Sequence, residues 1–374
     1  MGIKGLLPLL SPITRPRHLR EFSGLRAGID GHVWLHRSMF ANARAFAVGK
    51  YVDSHLKYFS RKCEYLLNFG IQPIIIFDGS ILPAKLQTRS LRDFDRAISM
   101  GRAIGLQDSG NPGIAYNEFA KAAEIKHEMV QEIISSVKTL GAEAYVSPYE
   151  ADAQLSHLSQ LGLIDFAVSE DSDLLVYGCH RVLFKLDYNT GYSMEVASPI
   201  HSAPLFSKLC PLSVTLACIL AGCDYGPVVS GIGIKKAIEI AEYCKPFVDD
   251  PRILAKQTVQ ALNRRGVAFT DASYLEQRIR ISALVFRHQA VFNPLEQRMQ
   301  YLSPIESLGI TPFEANMVGR IHSSTLARDI YLNLAHPSSR YGLNSGDGTF
   351  EDKPIYIRNI VGTPVIIPNH LYIS

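Results

Sequence analysis

Seven acidic residues stand where a folded chain could bring their carboxylates together. They are Asp30, Asp78, Glu150, Asp152, Asp171, Asp173 and Asp224. So many carboxylates in one place would repel one another and shift each other's pKa unless divalent cations neutralised them. Because all the donors are oxygens, Mg²⁺ or Mn²⁺ is favoured over zinc. Two such ions about 3.5–4 Å apart can polarise a phosphodiester, activate a water and stabilise the leaving oxygen, so the predicted reaction is phosphoryl transfer to water.

Each acid also has an ordinary structural explanation. Aspartates at strand ends often solvate loops or cap helices. The segment SPYE fits a capping box, so Glu150 could merely cap the helix that carries Asp152. Asp171 and Asp173 are two residues apart and would share a face if the chain were still extended there. The metal hypothesis accounts for all seven acids at once and is preferred.

The apolar segments before these acids predict the elements that position them. LRAGID, PIIIFD and LIDFAVSEDSD each run into an aspartate and are typical of buried strands. Helical stretches such as YVDSHLKYFSRKCEYLLNFG and EIKHEMVQEIISSVKTLGA lie between them. Strands alternating with helices predict an α/β fold with a mostly parallel central sheet flanked by helices. Ligands of such sheets bind beyond the carboxyl ends of the strands, which is where these aspartates stand.

Residues 83–128 interrupt this alternation with a charged, helical segment that contains the turn signal DSGNPG. The segment is predicted to form a helical arch or lid, and the alternative is a solvated helical hairpin. Lys85 and Arg92 are seven residues apart, share a helix face and could stabilise the charge that grows on a scissile phosphate. Arg89 and Arg96 continue this basic stripe, although exposed basic residues on a helix are often only solvated.

The sequence GIGIKKA opens a predicted helix in the largely helical region after residue 205. Gly231 and Gly233 would let the backbone approach a phosphate closely, and Lys235 and Lys236 add positive charge. The alternative is a tight turn between helices. Beside an acidic cluster, the segment is predicted to be a second DNA contact.

Bulk composition narrows the class of protein but not its partner. With 374 residues, 47% hydrophobic and 20% charged, the chain is predicted to fold, which excludes disordered and collagen-like classes. The 38 basic and 35 acidic residues give a net charge of +3, too weak a bias to indicate nucleic acid. Six cysteines without a CxxC pair predict buried thiols rather than disulfides or zinc. No apolar run reaches the roughly 20 residues that span a bilayer, so no membrane association is expected.

Six segments together resemble a known family. They are MGIKGLLPLL, AGIDGHVWLH, IFDGSILPAK, SPYEADAQL, SEDSDLLVYGC and LAGCDYGPVVSGIGIKKA. The set resembles the structure-specific 5′ nucleases of the flap endonuclease, or XPG-type, superfamily, whose catalytic domain is PIN-like. The resemblance covers residues 1–300 and continues more weakly to about residue 335. Within the superfamily, PYEADAQ, EDSDLL, WLH and ILPAK look most like the exonuclease 1 family.

The resemblance implies roles for the residues singled out above. The seven acids would hold two metal ions, and Lys85 and Arg92 would act on the scissile phosphate. Gly2 and Lys4, at the N-terminus, would lie near the site and the DNA. His36 matches a histidine set near unpaired nucleotides, and His32 replaces a tyrosine often found there. Arg89 and Arg96, which continue the basic stripe, are also predicted to contact DNA.

The resemblance also implies a helix-two-turn-helix region that holds the duplex. Gly231, Gly233, Lys235 and Lys236 match it. A K⁺ ion usually bridges its backbone carbonyls and a phosphate, here at Val228 and Ile232. Val228 stands where many members carry a serine.

The predicted domains follow from the same reasoning. They are an N-terminal nuclease region (1–99), a helical arch (83–128), an internal nuclease region with the helix-two-turn-helix (129–240), a helical extension (241–335) and a loop-rich tail (336–374). PIYIRNIVGTPVIIP within the tail could add a strand or two.

The expected activity is that of a Mg²⁺-dependent 5′ to 3′ exonuclease of DNA repair, with Mn²⁺ as a substitute metal. It would act on double-stranded DNA with 5′ ends, nicks, gaps or 5′ flaps. A monomer in the nucleus is expected, and the sequence shows no peptide for a sliding clamp or for mismatch-repair partners. The alternatives are a dedicated flap endonuclease, a catalytically silent DNA-binding scaffold and, last, a small-molecule phosphatase.

Overall fold

The computed structural model describes residues 2–197, 199–244, 250–306 and 308–337 and the backbone of 357–358 and 364–365. Its main feature is a seven-stranded sheet. The strands are β1 (Thr14–His18), β2 (Arg26–Asp30), β3 (Gln72–Phe77), β4 (Glu143–Val146), β5 (Phe166–Val168), β6 (Val182–Phe184) and β7 (Tyr192–Val196). Their order is β1-β7-β6-β5-β2-β3-β4. The run from β6 to β4 is parallel, and β7 and β1 are antiparallel additions at one edge. The predicted α/β fold with a mostly parallel sheet is confirmed.

Side chains of the central strands alternate between two apolar cores, one on each face of the sheet. In β3, Ile74 and Ile76 enter one core, while Ile75 and Phe77 enter the other. Burial on both faces explains why this strand is a continuous apolar run. Trp34 packs in the second core, against the rings of Phe59 and Tyr188.

Helices lie on both faces of the sheet, and others form the arch. The helices of the described residues are α1 (Leu6–Leu9), α2 (Gly31–Phe40), α3 (Ala43–Ala47), α4 (Ser54–Asn68), α5 (Leu86–Asp108), α6 (Pro112–Ala122), α7 (His127–Thr139), α8 (Ala151–Gln160), α9 (Asp173–Val176), α10 (Pro211–Ala221), α11 (Ile234–Cys244), α12 (Pro251–Arg264), α13 (Ala272–His288), α14 (Pro312–Met317) and α15 (Ser324–Tyr331). None of the helices in the described part of the chain combines the length and apolarity needed to cross a membrane. All six cysteines are free thiols.

The inserted segment is a pair of helices that packs back onto the body. Helix α5 ends at Asp108 and α6 begins at Pro112, so the DSGNPG turn lies where it was predicted. Ala103, Ala115 and Phe119 pack together with Ala43 of α3. The hydroxyl of Tyr116 also bonds the carbonyl oxygen of Phe40, at the end of α2. The α5–α6 pair is therefore anchored to α2 and α3 as well as at its own base.

Two local interpretations of the sequence were wrong. The segment before Asp171 is not one long strand, because β5 ends at Val168 and Asp173 is already the first residue of α9. SPYE is not a capping box, because Glu150 directly precedes α8 but its side chain makes no capping hydrogen bond. The region after residue 205 is largely helical, as predicted, and also contains an antiparallel hairpin of β8 (Ala290–Asn293) and β9 (Arg298–Tyr301).

The chain divides into two compact units, Met1–Ser339 and Arg340–Ser374. In the second unit, β10 (Ile357–Arg358) and β11 (Pro364–Val365) pair antiparallel, where a strand or two was expected. The rest of the predicted loop-rich tail lies outside the described residues, apart from residues 336–337.

Candidate metal and nucleic-acid site

The ends of four neighbouring parallel strands bring the predicted acids to one edge of the sheet. Asp30 ends β2, Asp78 follows β3, Glu150 and Asp152 follow β4, Asp171 and Asp173 follow β5, and Asp224 comes from the loop between α10 and α11. The carboxylates are close enough for their charges to raise one another's pKa. The structure therefore places all seven in one cluster.

Backbone donors hold Asp30 and Asp78 in place. Oδ1 of Asp30 accepts hydrogen bonds from the amides of His32 and Val33, at 3.0 and 3.2 Å, and so caps α2. Oδ1 of Asp78 accepts one from the amide of Ala151 at 2.7 Å, which is the bond that caps α8. The amide of Asp78 in turn donates to Nδ1 of His32 at 3.1 Å. The ordinary explanation, helix capping, is thus correct for these two aspartates, but each uses one carboxylate oxygen for it.

A tight turn carries Asp171 and Asp173. The amide of Asp173 donates to Oδ1 of Asp171, and the amide of Asp171 donates to Oγ of Ser169, both at 3.0 Å. The N-terminal segment lies against this turn. The amide of Ile3 donates to Oγ of Ser172 at 2.8 Å, and a Cβ on Gly2 would lie 2.7 Å from Oδ1 of Asp171. Gly2 therefore lies beside the acids, as expected.

Two cations from the α5 segment face the cluster. Lys85, at the end of the short 3-10 helix Pro83–Lys85, forms an ion pair with Glu150 and lies 3.2 Å from Oδ2 of Asp224. Arg92 donates to Oδ1 of Asp224 at 2.7 Å. Lys85 precedes α5 rather than lying on it, but its side chain and that of Arg92 reach the same carboxylate, Asp224.

Burial and mutual repulsion disturb the protonation of the cluster. Burial, reinforced by Asp78 and Asp171, raises the pKa of Asp30 to about 7. Burial and neighbouring carboxylates also raise the pKa values of Asp152 and Asp173 well above the usual range. Burial acts in the same direction on Asp224, but Lys85 and Arg92 outweigh it and lower the pKa of that carboxyl. The acids away from the two cations therefore carry the largest unneutralised repulsion.

The donor chemistry fits divalent cations. Oδ1 of Asp152 and Oδ1 of Asp173 are buried without a hydrogen-bond partner, although a buried carboxylate oxygen ordinarily has one. Hard cations such as Mg²⁺ bind oxygens of this kind. Among the described residues, no three His, Cys, Asp or Glu side chains are already arranged as a ligand set.

The other predicted DNA contacts on the arch and on α2 differ in their surroundings. Arg89 and Arg96 both pair with Asp93 on α5 and with Glu124 after α6, so acids of the arch itself neutralise them. His36 is exposed on α2 and lies near Arg92 and Arg96 of α5. His32 is mostly buried and supports the Asp78 loop.

The second predicted contact region lies at the start of α11. Lys235 and Lys236 are exposed, whereas Ile234, Ala237 and Ile238 on the opposite face are buried. Nζ of Lys236 donates to the carbonyl oxygen of Gly231 at 3.2 Å, which closes the loop. In the same loop, Gly233 is exposed and Ile232 half-buried, and the side chain of Val228 is fully exposed. Lys4 lies in the N-terminal segment, on the wall of an open cavity of about 340 Å³ that Ser172 also lines.

Three supporting residues were not predicted. Ser172 bonds the N-terminal segment, and its place between two acids of the EDSD motif was the available signal. Thr88 donates its hydroxyl to the carbonyl oxygen of Asp224 at 2.7 Å, and it lies one helical turn after Lys85. Ser147 donates to the carbonyl oxygens of Phe77 and Tyr149, which ties β3 to β4 beside the acids. Its pattern was assigned instead to a helix cap.

Two family descriptions match this chain. The XPG N-terminal domain matches residues 1–98, and the XPG I-region matches residues 141–224. Exodeoxyribonuclease 1 of Schizosaccharomyces pombe is 32% identical over 94% of this chain and 60% of its own length. Exonuclease 1 of Drosophila melanogaster is 33% identical over 92% of this chain and 47% of its own length. The chain thus spans about half the length of these relatives.

The solved structures share the fold. The catalytic core of Rad2 in complex with DNA substrate is 19% identical, has a TM-score of 0.55, and is matched over 89% of this chain and all of that chain. The Holliday junction-resolving enzyme GEN1 is 18% or 19% identical in two structures, with TM-scores of 0.50 and 0.51 over 79% of this chain and 66% of that chain. The predicted PIN-like nuclease fold is confirmed.

A third relative is matched over more than two thirds of its own length. The DNA damage-inducible protein DIN7 of Saccharomyces cerevisiae is 33% identical over 82% of this chain and 70% of its own length. Together with the two matching XPG regions and the strand-end acids, this similarity shows that the chain belongs to the XPG family of structure-specific nucleases.

Proposed function

We propose that this chain is a divalent-metal-dependent nuclease that degrades double-stranded DNA in the 5′ to 3′ direction from 5′ ends, nicks and gaps, and that also cuts 5′ flaps. The observation that carries the proposal is the cluster of seven carboxylates at the strand ends, faced by Lys85 and Arg92 from the arch. Two of the relatives above are named exonuclease or exodeoxyribonuclease, and the Rad2 structure and one of the two GEN1 structures hold DNA.

In this proposal the seven acids hold two Mg²⁺ ions, and Mn²⁺ can substitute. When bound, the ions would supply electrophilic activation of the phosphodiester and of the attacking water. The partnerless oxygens of Asp152 and Asp173 support the assignment, because a buried carboxylate without a donor gains most from a cation. The GEN1 structure with product DNA also contains Mg²⁺.

Lys85 and Arg92 are proposed to act on the scissile phosphate. Their present partners are Glu150 and Asp224, which are also proposed metal ligands. If Glu150 and Asp224 held metal, the ammonium of Lys85 and the guanidinium of Arg92 would no longer be neutralised by them. The freed groups would then offset the negative charge that grows on the phosphate oxygens. His32 would hold the Asp78 loop, and His36 would lie near the unpaired terminal nucleotides.

The duplex is proposed to bind away from the acids, at the start of α11. Lys235 and Lys236 would contact the backbone phosphates, and Gly231 and Gly233 would allow the close approach. A K⁺ ion at the carbonyls of Val228 and Ile232 would complete this helix-two-turn-helix contact. One GEN1 structure is described with potassium. Gly2 and Lys4 would guide the strand between the two regions, and Arg89 and Arg96 would contact it under the arch.

The organisation of the chain is proposed to follow these contacts. Residues 1–99 and 129–240 would form the nuclease proper, 83–128 the arch, 241–335 a supporting helical extension and 336–374 a tail. The chain would act as a monomer in the nucleus, in DNA repair, and the relative named as DNA damage-inducible supports the repair role alone.

The test is time-resolved cleavage of two labelled DNAs, a duplex with a recessed 5′ end and a 5′ flap, with and without Mg²⁺. The control is the Asp171→Ala, Asp173→Ala double variant. We expect a ladder of short products from the recessed end that needs Mg²⁺ and is abolished in the control.

The alternatives give different results in the same assay. Cutting confined to the flap junction would indicate a dedicated flap endonuclease. Binding of both DNAs without cleavage in Mg²⁺ or Mn²⁺ would indicate a DNA-binding scaffold and would overturn the proposal.

A further inference from the structure

The N-terminal segment touches both halves of the proposed site. We call residues 2–9, which include α1, the N-terminal strut. Its first contact is the hydrogen bond from the amide of Ile3 to Oγ of Ser172, which is 2% exposed. Gly2 has a φ of +87°, and a Cβ there would lie 2.5 Å from Oγ of Ser172. Because only glycine fits this approach, the strut backbone is seated on the turn that carries Asp171 and Asp173.

The second contact is with α11. Gly5 has a φ of +77°, and a Cβ there would lie 3.1 Å from Cγ2 of Ile234, the first residue of α11. Ile3 and Leu6 are 4% and 0% exposed and share an apolar core with Ile234. The strut is therefore held by the buried side chains of Ile3 and Leu6, although Lys4 and Gly5 between them are exposed.

The two contacts are separated by very little chain. From Gly2 to Gly5 there are three residue steps, which span at most about 11 Å even when fully extended. Within that distance the strut joins the acid-bearing turn to the helix that carries Lys235 and Lys236. A displacement of either end is transmitted to the other, because close-packed elements do not deform continuously.

We propose that the N-terminal strut sets the distance between the duplex grip and the point of cleavage, and that Ser172 is the positioning residue that holds it. This inference rests on the nuclease function proposed above and adds to it the determinant of which phosphodiester is cut. If the hydrogen bond to Ser172 is lost, duplex held by α11 is presented to the acids in more than one register. The expected result is less uniform cutting without loss of duplex binding.

The test compares three variants of the full chain. Ser172→Ala removes the acceptor of the first contact. Gly5→Ala strains the second, because alanine disfavours the left-handed backbone and presses on Ile234. Ser156→Ala is the matched control, because its buried hydroxyl bonds the carbonyl oxygen of Leu174 and does not touch the strut. Thermal unfolding of each variant shows first that the variant is folded.

Two measurements are made on each variant. Hydrogen exchange reports the coupling itself. We expect faster exchange at the first turn of α11 in Ser172→Ala and at the turn of Asp171–Asp173 in Gly5→Ala, with neither change in the control. Single-turnover cleavage of the recessed duplex, resolved to single nucleotides, reports the consequence. We expect at least a tenfold lower rate and products spread over neighbouring positions, with duplex affinity measured in chelator within twofold of the parent chain.

The outcomes separate the two proposals. Unchanged exchange at the far end in both strut variants would refute the coupling. Changed exchange with parental cleavage positions would refute the role in positioning. If the parent chain cleaves neither DNA, the nuclease proposal fails, and the exchange data still decide whether the strut joins the two regions.

Discussion

The side chain of Asp30 both caps a helix and belongs to the acid cluster. Oδ1 caps α2 through the amides of His32 and Val33, whereas burial and the neighbouring Asp78 raise the pKa of the carboxyl to about 7. Without divalent cations, the fold therefore shifts Asp30 towards its protonated form relative to a free aspartate. Cations would remove that preference, because they stabilise the carboxylate instead.

This conflict predicts a pH-dependent effect of Asp30→Asn. The folded pKa is raised above the usual 3.8, so the stability that protonation contributes is present at low pH and is lost as pH rises through 7. Asparagine keeps the capping oxygen and carries no charge. In chelator, the variant should be more stable than the parent by about 1–4 kcal/mol at pH 8 and by less at pH 5. Urea unfolding at both pH values measures this, and an equal gain at both would contradict it.

The basic side chains of the arch differ in their ion-pair partners. Arg92 points at Asp224 in the cluster, whereas Arg89 is engaged by Asp93 and Glu124. We expect Lys85→Met or Arg92→Gln to lower the single-turnover cleavage rate by about 10²–10³-fold, because a donor to the transition-state charge is lost. Arg89→Gln, on the same face of α5, is the control and should change the rate much less. Equal losses from Arg89→Gln and Arg92→Gln would show that the basic stripe acts only through its summed charge.

At the scale of the element, α5 has two ends with different partners. Near its start, Thr88 and Arg92 hold Asp224. Further along, Ala103 packs with Phe119 of α6 and Ala43 of α3 in a small separate core. The arch thus has its own packing, and its stability can be changed without touching the acids.

Phe119→Ala should loosen the arch alone. Truncating a buried phenylalanine costs about 3–5 kcal/mol locally, and this small core has few other side chains to compensate. We expect faster hydrogen exchange throughout α5 and α6, lower cleavage, and little change in the exchange of β2 and β3. Phe94→Ala is the control, because Phe94 is on α5 but 65% exposed. Loss of protection across the central sheet would mean that the arch is part of the global folding unit.

At the scale of the whole molecule, the net charge of +3 provides little general attraction for DNA. The acid cluster repels phosphates, so duplex affinity must come from local cations such as those of α11. We expect Lys235→Ala with Lys236→Ala to reduce the slope of log affinity against log salt by about 2, since each phosphate contact contributes about 0.9.

The control for this effect is Lys57→Ala, because Lys57 is exposed on α4 and paired with Asp53. Anisotropy titrations of a duplex in chelator at several salt concentrations measure all three proteins. An unchanged slope in the double variant would place the duplex elsewhere on the molecule.

Patterns that depend only on neighbouring residues were predicted well from the sequence. In β2 and β3, apolar runs that end in aspartate determined both the strands and the edge at which Asp30 and Asp78 meet, because parallel strands end on the same side. The helix that GIGIKKA was predicted to open likewise begins within this segment, at Ile234. Such features need no knowledge of distant residues.

Patterns for which a distant residue competes were predicted poorly. SPYE has the form of a capping box, but Asp78, more than seventy positions away in the chain, supplies the cap of α8, while Ser147 bonds β3. The extended chain expected at Asp171 gives way to a turn in which the Ser172 hydroxyl receives the amide of Ile3. In both places the local sequence pattern is misleading, because a hydrogen bond to a residue distant in sequence satisfies the polar backbone group.

The sequence by itself determined the parallel sheet, the edge where seven acids gather and the segment of the arch that carries Lys85 and Arg92. Only the tertiary structure decided which carboxylate each cation pairs with, which two buried oxygens remain without a donor, and that the N-terminus packs between the acids and α11. The physical reason is that periodicity fixes the direction of a side chain within its element, whereas pairing and burial depend on how elements distant in sequence pack together.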